Sequence, residues 1–122
     1  MIEPHECQTM DEVRRAIDEL DRSIVALLGT RFRFIEAAAR IKQERGEVRD
    51  SERKSRVIEN ARRTARSAGA PQDLVAAIYE ALVEGSIAHE LERFDAIRDG
   101  EAVGRGGQSS APETVWDPRG GY

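Results

Sequence analysis

The sequence has few of the residues on which sheets, disulfides and membrane spans depend. Aromatic residues make up 5% of its 122 positions, and Cys7 is the only cysteine. A single cysteine excludes an intrachain disulfide and fits a reducing compartment, so we expect a cytoplasmic protein. No apolar run approaches the ~20 residues of a membrane-spanning helix, and residues 1–10 do not resemble a signal peptide.

The sequence also has no large excess of positive or negative residues. The formal net charge of -4 gives no general attraction to nucleic acid or to an anionic membrane, and we predict neither as a partner. Three arginines do cluster locally, at Arg62, Arg63 and Arg66, and we interpret them as a solvated helix face.

What the sequence does have is a long helical period. Proline and glycine are nearly absent between Cys7 and Arg45, and Thr9 with Glu12 forms a capping box that predicts a helix start. Apolar residues then recur at alternating steps of four and three, as far as a glycine stop at Gly46. This seam consists of Val13, Ile17, Leu20, Ile24, Leu27, Phe34, Ala38 and Ile41. It predicts a first helix of about 36 residues, roughly 54 Å long.

Capping residues also predict two further helices. Asp50 or Ser51 caps a second, shorter helix that ends at Gly69, and Pro71 opens a third helix over residues 72–98. The buried positions expected on the third helix are Val75, Ile78, Leu82, Leu91 and Phe94.

The first helix is too long for the other two to cover its apolar seam, and a second copy of the chain is the simplest completion. We therefore predict an all-α fold of a long, a short and a long helix in an intertwined homodimer. Residues 1–99 form the predicted domain. Residues 100–122, with Trp116, are rich in Gly, Ser and Pro and are expected to be a disordered tail.

One position interrupts the apolar seam of the first helix. The four-three rhythm places Arg31 on the seam, and Lys42 follows eleven residues later on nearly the same face, with Ile35 and Ala38 between them. Two cations around a small apolar strip predict a site for a compact dianion. Arg14 points about 100° away from Arg31, so it can reach such a site only from the partner of an antiparallel dimer.

The third helix contributes polar groups of its own. Val83, Ser86 and Glu90 are spaced i, i+3 and i+7, which places a hydroxyl and a carboxylate on one face beside an apolar residue. Spacing alone leaves an alternative open, in which Arg31 forms an ordinary buried ion pair with Glu90 or Glu36.

These motifs together resemble the all-helical chorismate mutases. The resemblance rests on Val-Arg-x-x-Ile-Asp-x-Leu-Asp at 13–21, Ala-Leu-Leu followed by Arg31, Ala-x-x-Ile-Lys at 38–42, and the late Ser-x-x-x-Glu. It covers about residues 7–95. The related isochorismate-pyruvate lyases match equally well over residues 7–42.

The resemblance implies a pericyclic rearrangement of chorismate to prephenate, without nucleophile, metal or cofactor, in the shikimate pathway to phenylalanine and tyrosine. It implies that Arg14 of one protomer and Arg31 of the other hold the substrate carboxylates, with Ser86 assisting. Lys42 is expected at the ether oxygen, and Asp50 near the substrate hydroxyl. The apolar wall is expected to be Ile35, Ala38 and Val83.

Two residues depart from the family pattern. Glu90 stands where many members have a glutamine that donates to the ether oxygen. A carboxyl group donates only when protonated, so we expect activity to rise as the pH falls below neutral. The glutamate that binds the substrate hydroxyl falls at Lys54, with Glu52 as a substitute in another register, and this leaves chorismate and isochorismate both open.

Three other functions remain alternatives. The chain resembles isochorismate-pyruvate lyases, which form salicylate and pyruvate, and a mutase of 4-amino-4-deoxychorismate would use the same residues. A non-catalytic helical dimer that binds a partner protein or a metabolite is the third. Against that last function, a purely structural dimer has no need of a small apolar strip at Ile35 and Ala38 between cations.

Overall fold

The computed structural model of the chain describes residues 2–103, and every regular element within that range is helical. The elements are a 3-10 turn at Pro4–Glu6, α1 at Met10–Ile41, a 3-10 turn at Arg45–Glu47, α2 at Ser51–Ala68 and α3 at Gln72–Val103. The α-helices have 32, 18 and 32 residues, which confirms the predicted order of long, short and long for the described part of the chain. No helix in this part is both long and apolar enough to cross a membrane.

The predicted capping box opens α1. The Glu12 backbone N–H donates to the Thr9 hydroxyl oxygen at 3.2 Å, and the hydroxyl in turn donates to the Glu12 carboxylate at 3.1 Å. That carboxylate also accepts the backbone N–H of Gln8 at 3.2 Å, one residue earlier than the standard box. Backbone donors at the start of the helix are therefore satisfied locally.

The predicted end of α1 at Gly46 is wrong, because the helix stops at Ile41. A second capping box replaces the expected glycine stop. The Glu47 carboxylate accepts the backbone N–H of Glu44 at 3.2 Å, and the Glu44 side chain accepts a backbone N–H in return. These local bonds start a separate 3-10 turn and compete with continuation of the helix.

The boundaries of α2 were predicted correctly. The Asp50 carboxylate accepts the Arg53 backbone N–H at 3.0 Å, and Gly69 closes the helix with a φ of +72°. A left-handed backbone of this kind favours glycine, since a side chain there would be strained. The third helix extends to Val103, five residues beyond its predicted end, and the rest of the predicted tail, including Trp116, lies outside the described residues.

The described chain consists of two compact units, residues 2–31 and residues 32–103, and the boundary between them lies within α1. The first unit has no fully buried residue, and its seam residues Leu20, Ile24 and Leu27 are exposed. The seam of α1 is therefore not covered within this unit.

The second unit has a small apolar core to which the end of α1, the segment before α2, α2 and α3 all contribute. Its buried members are Ala39, Val48, Val83, Ile87 and Phe94, with Val57 and Leu91 packed against them. Of the positions expected to be buried on α3, Phe94 is buried, whereas Ile78 is exposed in the single chain. Phe34 and Ile41 of the seam are also exposed, so apolar surface is left uncovered in this unit too.

Candidate active site

Lys42 stands directly after α1 and reaches across to α3. Its backbone N–H donates to the Ala38 carbonyl at 2.9 Å, so residue 42 still follows the helical hydrogen bonding. Its Nζ donates to Glu90 Oε2 at 2.7 Å. The Lys42 side chain is 27% exposed and the Glu90 side chain 5%, so a partly accessible cation meets a buried carboxylate.

Glu90 belongs to the polar face that the sequence predicted on α3. Val83, Ser86 and Glu90 are all buried, as their spacing requires if they share one face. The Ser86 hydroxyl donates to the Leu82 carbonyl at 2.7 Å, one turn back in the same helix. Buried polar groups are costly without partners, and here both the hydroxyl and the carboxylate have one.

The predicted apolar strip leads up to Lys42 along α1. Ile35 and Ala38 precede Lys42 by seven and four residues, which places them on its face of the helix, and both are half-buried. Ala39 beside them is completely buried.

A second polar contact joins α1 to α3 beside the first. His89 Nε2 lies 2.8 Å from Glu36 Oε2, and the imidazole also meets the Phe32 ring edge to face, with 5.3 Å between centroids. The carboxylates that the sequence offered as partners for Arg31 are thus bonded to Lys42 and His89. Spacing within one helix could not identify these partners, because they depend on how two helices cross.

The two predicted carboxylate-binding arginines belong to the first unit. Arg14 is exposed and Arg31 is half-buried, both on α1 within residues 2–31. Among the predicted site residues, the second unit brings together Lys42, Ser86 and Glu90.

Asp50, predicted near the substrate hydroxyl, has a structural task. Its carboxylate caps α2 through the bond from the Arg53 backbone N–H described above. One oxygen of a carboxylate can cap a helix while the other accepts a ligand hydroxyl, so the two tasks are compatible.

Lys54 is held by carboxylates of α3. Its Nζ lies 2.6 Å from Glu80 Oε1 and 3.3 Å from Glu84 Oε2, and Glu84 is also bound by both terminal nitrogens of Arg49, at 3.0 and 3.1 Å. The hydrogen bond with Glu80 is the main cause that raises the pKa of Lys54 above its usual value. Glu52, the other residue considered for the substrate hydroxyl, is exposed in the first turn of α2.

Comparison with known proteins decides the family. The family model of chorismate mutase type II matches residues 13–91, which span most of α1, all of α2 and the part of α3 that holds Ser86 and Glu90. The chain belongs to the type II chorismate mutase family. It is also 27% identical to the isochorismate pyruvate lyase of Pseudomonas aeruginosa over 95 residues, which are 78% of this chain and 94% of that protein.

For a member of the type II chorismate mutase family, the contact between Lys42 and Glu90 is the most informative part of the site. A lysine ammonium has three N–H donors, and one of them is bonded to Glu90. The other two can serve a ligand oxygen while the glutamate fixes their direction. The arrangement can therefore stabilise negative charge that develops on an oxygen beside Lys42.

Two residues near this contact were missed by sequence reasoning. His89 and Arg98 both connect α3 to the end of α1, over 53 residues in one case and 56 to 59 in the other. Neither interrupts an apolar seam or matches a motif, so periodicity gave no signal for them. The sequence offered only their positions on the same helix as Glu90: His89 precedes it by one residue, and Arg98 follows it by eight.

Proposed function

We propose that this chain is a chorismate mutase, which rearranges chorismate to prephenate. The observation that carries the proposal is the Lys42 ammonium held 2.7 Å from a buried glutamate beside Ser86. In the rearrangement the ether C–O bond breaks while a C–C bond forms, and negative charge grows on the ether oxygen. A cation aimed at that oxygen binds the transition state more tightly than the ground state, and only such differential binding raises the rate.

The substrate carboxylates are assigned to Arg14, Arg31 and Ser86 in this proposal. A guanidinium pairs with a carboxylate through two parallel N–H bonds, which fixes orientation as well as charge. The Ser86 hydroxyl donates to the Leu82 carbonyl of its own helix. Rotation of the hydroxyl would let it donate to a substrate carboxylate instead. Freezing the substrate in its compact conformer supplies a further part of the rate enhancement.

The proposed active form is a cytoplasmic homodimer in which Arg14 of one protomer completes the site of the other. The exposed seam supports it, because Leu27 and Phe34 of α1 are 69% and 73% exposed in the single chain. On α3, Leu74 and Ile78 are exposed one turn apart. Apolar surface of this extent is unfavourable in water and typical of a protein interface.

Isochorismate-pyruvate lyase activity is the second candidate, and the similarity to the Pseudomonas aeruginosa lyase favours it. The two substrates differ in which ring carbon carries the hydroxyl. The resemblance places the family's hydroxyl-binding glutamate at Lys54, or at Glu52 in another register, and Lys54 is bonded to Glu80 and Glu84. Hydroxyl recognition is therefore the contact on which the two candidates differ.

A product assay tests the proposal directly. The chain is expressed in a host strain without chorismate mutase, and the purified protein is given chorismate or isochorismate, with prephenate and salicylate resolved by chromatography. We expect prephenate from chorismate. A Lys42→Met variant purified in parallel should be nearly inactive, which excludes a contaminating enzyme.

Dominant formation of salicylate from isochorismate would establish the second candidate instead. Inactivity on both substrates, together with a melting temperature that chorismate does not raise, would leave a non-catalytic binding protein. A ligand that binds only the folded state must stabilise it by mass action, so the melting experiment is independent of turnover.

Complementation between variants tests the shared site. An Arg14→Ala variant and a Lys42→Met variant should each be nearly inactive. After mixing and subunit exchange in equal amounts, half of the dimers are mixed and one of their two sites is intact, so about a quarter of the wild-type activity should return. A monomeric active protein in sedimentation, or no recovery despite exchange, would overturn the shared site.

A further inference from the structure

The carbonyl end of α1 is capped from a distance. The last carbonyls of an α-helix have no partner within the helix, and they carry the negative end of its dipole. Arg98 of α3 supplies a partner for one of them and for the carbonyl of the residue that directly follows the helix. Its Nη1 donates to the Ala39 carbonyl at 2.7 Å, and its Nη2 donates to the Lys42 carbonyl.

The Arg98 side chain is itself fixed in place. Its guanidinium carbon lies 3.7 Å from the centroid of the Phe94 ring, one turn back on α3. Phe94 is buried in the core of the second unit together with Ala39. A cation over an aromatic face is attracted by the ring, so Arg98 approaches the end of α1 from a defined direction.

Lys42 is consequently bonded to α3 through both its backbone carbonyl and its side-chain ammonium. Its carbonyl accepts from Arg98, and its Nζ donates to Glu90, eight residues earlier on the same helix. Without the bond from Arg98, residue 42 would follow the frayed end of a helix, where backbone groups bond to water instead. Glu90 alone would then hold only the tip of a flexible side chain.

We propose that Arg98 is a positioning residue for Lys42, which fixes the backbone from which the lysine reaches Glu90 and the reacting oxygen. The effect on catalysis rests on the proposed function. The effect on the geometry of Lys42 does not, and the two effects are measured separately.

The first experiment observes Lys42 without substrate. The chain has only two lysines, Lys42 and Lys54, so protein labelled with ¹³C in the lysine side chains gives two sets of signals, and Lys54→Arg assigns them. In Arg98→Met, which keeps an apolar stem over Phe94, the Lys42 signals should move toward those of an unstructured lysine. The Lys54 signals should stay unchanged.

Arg93→Met is the matched control for this experiment. Arg93 is an exposed arginine on the same helix, so its replacement removes a charge from α3 without touching the end of α1. It should leave both lysine signals unchanged. If Arg98→Met does not fold, Arg98→Lys, which keeps one donor and the charge, should move the Lys42 signals in the same direction by a smaller amount, with its added signal recognised by its absence from the wild type.

The second experiment measures turnover of chorismate. A displacement of about 1 Å in a catalytic group can cost roughly 10²-fold, so Arg98→Met should lower kcat by about 10- to 100-fold while KM changes less than about threefold. Arg98→Lys, which keeps one donor and the charge, should recover part of the loss. In a Lys42→Met background, Arg98→Met should cause no further loss, because the positioned group is already missing.

Unchanged Lys42 signals in folded Arg98→Met would overturn the proposal, as would an additive loss in the Lys42→Met background. A loss of activity that only follows the loss of folded protein would also overturn it. If the wild type does not turn over chorismate, the proposed function fails, and the lysine signals still decide whether Arg98 positions Lys42.

Discussion

The two lysines of the chain are similarly accessible, with side chains 27% and 23% exposed, and both contact carboxylates of α3 that differ in burial. At the end of α1, Lys42 meets Glu90, whose side chain is 5% exposed. At the start of α2, Lys54 meets Glu80 and Glu84, whose side chains are 53% and 42% exposed. We call the first contact the inner pair and the second, together with Arg49, the outer network.

The contrast indicates what each contact is for. An exposed network costs little desolvation and contributes little stability, which suits the fastening of α2 to α3. A buried carboxylate is expensive even when it is paired, and apolar residues of similar size are often as stable in its place. The inner pair is therefore poorly explained by stability alone, and this favours a role in catalysis.

The largest expected difference is in activity. Lys42→Met should lower kcat by about 10²- to 10³-fold, because it removes the donor to the oxygen on which charge develops. Arg49→Met removes a cation of the outer network that has no assigned contact with the substrate, and it should alter kcat less than about threefold. Initial rates with chorismate, corrected for folded protein by circular dichroism, compare the two. Equal losses in both variants would remove the functional distinction between the inner pair and the outer network.

The free energy of unfolding tests the inner pair independently of activity. Lys42→Met leaves the Glu90 carboxylate buried without its partner, which should cost about 2–4 kcal/mol in the free energy of unfolding. The double variant Lys42→Met, Glu90→Met removes both charges and should regain most of that loss. Urea unfolding measures both variants. A double variant as unstable as the single one would mean that the pair itself stabilises the fold.

The sequence was sufficient for the parts of the molecule that local chemistry determines. Thr9 and Glu12 identify the start of α1, Asp50 the start of α2 and Gly69 its end, because each acts on backbone groups within a few residues. The polar face of α3 followed from spacing within one helix in the same way.

What the sequence could not supply depends on contacts between helices. It left open whether Glu90 or Glu36 pairs with Arg31, it did not predict the bond between Glu90 and Lys42, and it contained no signal for Arg98. Side chains at one helix end can reach several positions on another helix, and the crossing geometry selects among them. The predicted end of α1 at Gly46 failed for a related reason, since a glycine is only one of several ways to stop a helix.

The inner pair also predicts which side chains position 90 can carry. Glu90 Oε2 accepts from Lys42, and a glutamine would keep an acceptor for that bond while its amide N–H donates to the ether oxygen. We expect Glu90→Gln to keep at least about half of the wild-type kcat and Glu90→Ala to lower kcat about tenfold, because alanine leaves Lys42 without its partner. His89→Gln should change kcat less than about threefold, which separates Glu90 from the neighbouring imidazole. A fully active Glu90→Ala variant in initial-rate measurements with chorismate would refute this role.

The smallest effect belongs to the outer network and concerns stability in acid. Hydrogen bonds from Arg49, and then from Lys54, lower the pKa of Glu84 below its usual 4.5. The folded chain thus keeps this carboxylate ionised at pH values where the unfolded chain takes up a proton. Its stabilisation is complete above the unfolded value and disappears as the pH falls through the folded one. Glu84→Gln should lower Tm by about 1 to 2 °C at pH 7 and by progressively less below pH 4.5. Calorimetry across this range checks the sign, and a difference that grows in acid would contradict it.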